Sequence, residues 1–330
     1  MTNPIPARIA ALRDAMQKHD VAAVLVPSAD PHLSEYLPEH WQARAWLSGF
    51  TGSAGTLIVT HDQAGLWTDS RYFSQAENEL AGSGVALMKL RVPHTPEHLH
   101  WLAEQLHDGD MLAVAGDSVA LSTQRQIESE LAGTGASVRI DLDLPGMIWS
   151  DRPALPQAPV VAHDPAFATI PRADKFTRLR KAMKKLGATH HLLSSLDDIA
   201  WLTNLRGSDV ECNPVFLAHL LVSVDRRATL FVHRGKLSDE LVATLAADGI
   251  EINDYAAITS RLDELGPSDR LLLDSRRIVS SIANAIGSDT PRIEAANPST
   301  AFKAVKNVAE LDHIREVMRR DGVALVRGFR

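Results

Sequence analysis

The stretch AWLSGFTGS, residues 45–53, returns as AWLTNLRGS at residues 200–208, with five of nine positions identical. The surroundings repeat too. LRDAM at 12–16 matches LRKAM at 179–183, each on an amphipathic pattern that runs into an apolar segment. In the first half the pattern spans residues 8–26, with Ile9, Leu12 and Met16 on one face and a strand from Val21 to Val26; residues 176–193 repeat it. Strand–turn–strand follows as GTLIVTHDQAGLWTD in one half and AHLLVSVDRRATLFVH in the other. Each half then reads helix, strand, helix, strand, helix and a closing strand, with LAVAG (112–116) and RLLLD (270–274) in corresponding places.

Strands alternating with helices predict the α/β class, each half a mixed, mostly parallel sheet with one antiparallel hairpin and helices on both faces. The expected organisation is two similar domains at 1–150 and 172–300, joined by a proline-rich linker at 151–171. From Ala301 the apolar positions Leu311, Ile314, Met318, Val323 and Val326 predict one long helix to Arg330. Its apolar face has no following chain to cover it, which suggests the opening helix of a third domain; the alternative is a C-terminal helix docked on the preceding domain.

Composition narrows the function. The 330 residues are 45% hydrophobic and carry a net charge of -7 with both signs interspersed, unlike the basic face of a nucleic-acid binder. The single cysteine, Cys212, excludes an intrachain disulfide or a thiolate cluster and suits a reducing cytoplasm. The first residues, MTNPIPARIAALRDAM, lack the apolar run of a signal peptide, and no segment approaches the ~20 apolar residues of a membrane span.

Candidate chemistry is sparse. His94, His98 and His100 form the densest histidine run, but Pro96 starts a helix with Thr95 as its cap, so His94 shares no helical face with the others. His190 and His191 fall on opposite faces of a strand. No H-E-x-x-H zinc helix occurs. Thr51-Gly-Ser-Ala-Gly55 is one residue from a nucleophile elbow, yet a strand follows Ser53 where a helix is needed. Gly82-Ser-Gly84 lacks the rest of a dinucleotide fingerprint. Ser28 or Asp30 suits a cap for the next helix, as does the run Ser194–Asp197 in the second half. The polar loop Arg206–Pro214 reads either as an interface or as a solvated connection.

The runs PSADPHLSEY, SGFTGSAGT, LWTDSRYF, IAWLTNLRGSDVECNPV and KAVKN, in this order, closely resemble the long, three-domain form of Xaa-Pro aminopeptidase (aminopeptidase P) in the creatinase/prolidase-like metallopeptidases. The resemblance implies two creatinase-type N-terminal domains before a pita-bread catalytic domain. It implies two metal ions, commonly manganese, bound by two Asp, one His and two Glu of that third domain. Metals about 3.5–4 Å apart clamp the attacking and departing oxygens of amide hydrolysis. This chain reaches only the first helix of that domain, so it is expected to hold no metal, to supply no catalytic residue and to be inactive alone. The implied partners are small proline-containing peptides and a second copy of the protein in a cytoplasmic homodimer.

By the same resemblance Arg71 matches the family arginine that holds the peptide near the active-site mouth, its forked donors suited to carbonyl or carboxylate oxygens. The alternative for Arg71 is a structural ion pair. Asp69 either caps the helix or orients Arg71, and Ser70 replaces the usual family glycine. Cys212 stands where histidine is common, and no redox role is expected of it. Two rival functions remain: a stand-alone binding or assembly protein on the same scaffold, and a serine hydrolase using Ser53.

Overall fold

The computed structural model describes residues 3–92, 95–225 and 227–330. The first half runs α1 (Ile5–Lys18), β1 (Ala23–Pro27), α2 (Ala43–Ser48), β2 (Thr56–Thr60), β3 (Ala64–Thr68), α3 (Phe73–Glu79), β4 (Ala86–Lys89), α4 (Glu97–Gln105), β5 (Met111–Ala113), α5 (Leu121–Leu131), β6 (Ser137–Arg139) and α6 (Leu144–Ile148). The second runs β7 (Val161–Ala162), α7 (Arg172–Leu186), β8 (His190–Leu193), α8 (Leu196–Thr203), β9 (Leu205–Arg206), β10 (His219–Ser223), β11 (Ala228–Phe231), α9 (Asp239–Ala247), β12 (Ile250–Asn253), α10 (Ile258–Asp263), β13 (Leu271–Leu273), α11 (Ser280–Asn284), β14 (Arg292–Glu294), α12 (Pro298–Ala304) and α13 (Val308–Gly328).

The duplication holds strand by strand. One sheet has the order β4-β3-β2-β1-β5-β6 and the other β12-β11-β10-β8-β13-β14. In each, a single strand, β2 or β10, runs antiparallel to both neighbours, and the other five share one direction. The short strands β7 and β9 pair separately as a two-stranded ribbon.

Alternation along β1 builds the first core from both faces. Val24 and Val26 join Ile9, Leu12, Met16 and Leu47 on one side; Ala23 and Leu25 join Leu99, Leu102 and Ile127 on the other. Each buried Leu or Ile contributes about 1.5–3 kcal/mol through removal from water. The repeated motif also ends its helix alike in both halves. Gly49 (φ 76°) and Asn204 (φ 51°), which align, adopt the left-handed conformation that terminates α2 and α8. Ser48 and Thr203 each return a hydroxyl to the carbonyl four residues back, at 2.7 Å.

The chain divides into two compact units that do not follow sequence order completely. Leu262–Glu264 and Ser275–Gly287 belong with the chain up to Pro156, and the remainder forms the second unit. Within the first unit Leu121 N–H donates to Ile278 O and Ser280 N–H to Val119 O, both at 2.9 Å, and Ala120 bridges Val279. The sequence gives no local sign of this exchange.

Two local expectations change. The single helix expected from Ala301 is two helices, because Asn307 and Glu310 form a reciprocal capping box that starts α13 afresh. The helix expected to begin at Pro96 under a Thr95 cap begins at Glu97, whose carboxylate instead accepts the N–H groups of Arg91 and Val92.

Candidate functional site

In the first unit three polar loops meet at one end of the sheet: residues 28–38 after β1, 49–55 before the reversed β2, and 69–72 after β3. This is the carboxyl end of the parallel strands, where open α/β sheets place ligands.

The turn after β3 is built by Asp69. Its carbonyl accepts the N–H of Tyr72 at 3.0 Å, and Oδ1 accepts the N–H of Arg71 at 3.1 Å. Its carboxylate also takes Arg71 Nε and Nη2, each at 2.8 Å. These bonds from Arg71 hold the Asp69 carboxyl below the usual carboxylate range, and Asp69 in turn holds the guanidinium charged. Arg71 nevertheless stands 69% exposed, over the Tyr72 ring at 5.2 Å. Ser70 is absent from the positive-φ residues, so this turn needs no glycine there. Asp69 therefore orients Arg71 and does not cap α3, whose N-cap is Tyr72 without a side-chain bond.

Tyr72 ties the turn to the second loop. Its hydroxyl lies 2.6 Å from Ser53 Oγ, and its ring meets Phe50 edge-on at 5.9 Å. Ser53 thus pairs with a phenol, and among the described residues no imidazole hydrogen-bonds to its hydroxyl as the serine-hydrolase reading requires. Ser28 and Asp30 do not cap a helix, since α2 begins only at Ala43. Ser28 Oγ donates to Gly55 O at 2.8 Å, and Asp30 Oδ1 accepts the N–H groups of His32 and Ser34. Both side chains pin loops.

Arg44, on α2, went unnoticed in the sequence. It is only 6% exposed and donates to Ser28 Oγ, Phe50 O and Gly52 O at 2.9, 2.7 and 2.5 Å. Burial lowers its pKa to about 10. The available signal was its repeat partner: Ala45 aligns with Ala200, so Arg44 corresponds to buried Ile199.

In the second unit the Arg206–Pro214 loop closes on itself. Asp209 is fully buried, accepts Leu217 N–H at 2.7 Å and pairs with Lys236, itself 1% exposed at the side chain. Gly207 lies so close to Phe216 that a Cβ would stand 2.7 Å from its Cβ. Cys212 is exposed, in a left-handed conformation. Ser195 precedes α8 without capping it.

The histidines do not converge. His94 lies outside the described residues. Burial, then the neighbouring His100, lowers the pKa of His98 to about 4, and His100 faces Glu130 at 3.5 Å. His190 lies 3.4 Å from Asp269, whereas His191 on the opposite face is wholly buried. Among the described residues no group of three or more His, Cys, Asp and Glu is arranged to hold a metal ion, so these side chains do not fit a two-metal centre. No described helix is long and apolar enough to cross a membrane.

Models of the creatinase/prolidase N-terminal domain match residues 8–146 and 151–310. A probable Xaa-Pro aminopeptidase P of Botryotinia fuckeliana is 36% identical over 332 residues, covering 98% of this chain and 50% of the relative. Its counterpart in Laccaria bicolor is 37% identical over 329 residues, with the same coverage of 98% and 50%. The crystal structure of an X-prolyl aminopeptidase from Caenorhabditis elegans, described as a cytosolic enzyme with a di-nuclear active site, matches with a TM-score of 0.90 at 28% identity, over 97% of this chain and 55% of that one. The chain spans about half the length of the curated relatives it matches. Two such domains in tandem, with the same fold and order as these relatives, mean that the chain belongs to the creatinase/prolidase family as an aminopeptidase P-like member.

Proposed function

We propose that this chain is the non-catalytic N-terminal region of an Xaa-Pro aminopeptidase, an enzyme that removes the first residue from peptides with a penultimate proline. The observation that carries the reading is the match along 97% of the chain, at a TM-score of 0.90, to an X-prolyl aminopeptidase. In this reading domain I covers residues 1–150 and domain II residues 172–300, and residues 301–330 open the catalytic domain. That domain holds the two metal ions, manganese by resemblance, and performs the hydrolysis. The tandem domains cap the cleft, restrict entry to small peptides and set a homodimeric arrangement in the cytoplasm.

Arg71 has the chemistry for the substrate role. It is exposed, permanently charged and pre-oriented by Asp69, which takes Nε and one N–H of Nη2, so the remaining N–H groups of Nη1 and Nη2 meet a peptide oxygen without first losing rotamer freedom. Two measurements test the proposal. An antibody raised against this chain should detect a native product roughly twice the 36.0 kDa of these residues, because the relatives are about twice as long. That product, supplied with manganese, should cleave Xaa-Pro peptides, and Arg71→Ala should raise KM about tenfold, as expected for losing a charge-assisted bond of ~1.4 kcal/mol. A native product of 36.0 kDa without peptidase activity would favour the stand-alone binding protein instead.

A further inference from the structure

Arg44 poses a physical problem. A buried guanidinium loses its hydration, and among the described residues no carboxylate hydrogen-bonds to it, Glu79 favouring its charge only through space; its three bonds go to a hydroxyl and two carbonyls. The fold does not require it. The second copy of the motif ends its helix with a left-handed residue, Asn204, at the place of Gly49 and with the same kind of hydroxyl back-bond, yet has Ile199 in place of Arg44. The charge is therefore kept for something the second unit does not do.

The partners of Arg44 say what that is. The carbonyls of Phe50 and Gly52 flank Thr51, whose N–H and hydroxyl are taken from the other side by Glu79 at 2.8 and 2.7 Å. A cation from α2 and an anion from α3 thus clamp three residues of backbone. Gly52 is pressed so closely on the rings that a Cβ there would lie 2.2 Å from Phe50 Cζ and 2.7 Å from Tyr72 Cδ1. The next residue, Ser53, holds the Tyr72 hydroxyl, and Tyr72 carries Arg71 on its ring. Through Ser28, Arg44 also fixes Gly55 O, at the entry to β2.

We infer that Arg44 is a positioning residue: by clamping the 50–55 loop against Tyr72 it sets where the Arg71 guanidinium stands at the rim. The inference rests on the reading of Arg71 as the peptide-holding group, and it goes further by assigning the reach of Arg71 to a buried residue on a different element. Lysine cannot replace it, because one ammonium does not span the three acceptors that the planar fork reaches.

Two measurements decide it. Hydrogen exchange of this chain is followed in wild type, Arg44→Lys and Ser28→Ala. Exchange of the Thr51 amide, which Glu79 holds, and of the β2 amides that follow should rise by roughly tenfold in Arg44→Lys and less in Ser28→Ala, with the second unit unaffected. Unchanged exchange in this loop overturns the clamp, and if Arg44→Lys does not fold, Ser28→Ala decides alone. In the natural full-length protein, KM for an Xaa-Pro peptide should rise about tenfold in Arg44→Lys with kcat within about twofold, and Arg44→Lys should add nothing in an Arg71→Ala background. Equal losses with and without Arg71, or a fall in kcat alone, overturn the positioning role. A wild type that cleaves no Xaa-Pro peptide refutes the peptidase reading, and loop exchange then still decides the clamp.

Discussion

Acid should weaken this fold through His191, and by a calculable amount. The imidazole is wholly buried on β8; Nδ1–H donates to Leu272 O at 3.0 Å, and Nε2 has no hydrogen-bond partner among the described residues. Burial, only partly opposed by Leu272 O and Asp274, lowers its pKa from 6.5 to about 4. Between these values the unfolded chain binds a proton on this ring and the folded chain does not, so stability falls as pH falls. Linkage gives a loss of about 2 kcal/mol by pH 5 and about 3 kcal/mol by pH 4, relative to neutral pH. Burial also lowers the pKa of His40, His98, His163 and His190, so the wild-type slope is a sum. His191→Leu isolates one contribution. Urea unfolding of wild type and variant at pH 7, 6 and 5 should give stability differences that shift by about 2 kcal/mol in favour of the variant at pH 5. Any cost of lost packing is the same at each pH and cancels. Parallel pH profiles for the two proteins would refute the assignment of a buried neutral imidazole.

Two further outcomes follow from single contacts. Lys236→Met strands the buried Asp209 carboxylate and should cost about 3–5 kcal/mol, whereas Lys236→Met with Asp209→Leu should recover much of it; denaturant midpoints of the wild type and the two variants check this. Asn307→Ala removes one half of the capping box and should cost α13 about 1 kcal/mol, read as faster amide exchange in residues 308–311 with little change in the global unfolding midpoint.

The fold was legible because duplication and alternation are local signals. Two copies of one motif, each between an amphipathic helix and a reversed strand, specify the same sheet twice. The split of His190 and His191 followed from period two alone. What stayed hidden depends on partners far along the chain. Nothing near Ser275–Gly287 marks it as part of the first unit, since its bonds go to Val119, Leu121 and Ser122. Ser28 and Asp30 carry the residue types of a helix cap, but the chain makes a loop before α2, and the same short side chains satisfied backbone groups there instead. The break before α13 was readable in principle. Asn307 followed by Glu310 is a capping box, but the apolar rhythm continuing to Val326 masked it.

The two copies differ in how they tie off the same end of the sheet. Leu57 pairs with Leu66 as Leu220 pairs with Leu230, so Tyr72, six residues past Leu66, corresponds to Lys236, six past Leu230. Ser53 corresponds to Ser208, the residue before Asp209. Both units therefore tie the loop before the reversed strand to the turn after its hairpin partner. The first does so with a hydroxyl pair, Ser53 being exposed; the second with an ion pair sealed from water. The Asp209 carboxylate and Lys236 ammonium are paired with each other beneath the surface, so neither is presented to solvent at that end of the second sheet. A hydroxyl pair at the surface loses little when a ligand approaches, and the charge that stiffens it, Arg44, sits beneath. The two copies thus use the same place differently: Arg44 in the first fixes carbonyls of the exposed loop, and Ile199 in the second packs as an apolar core residue.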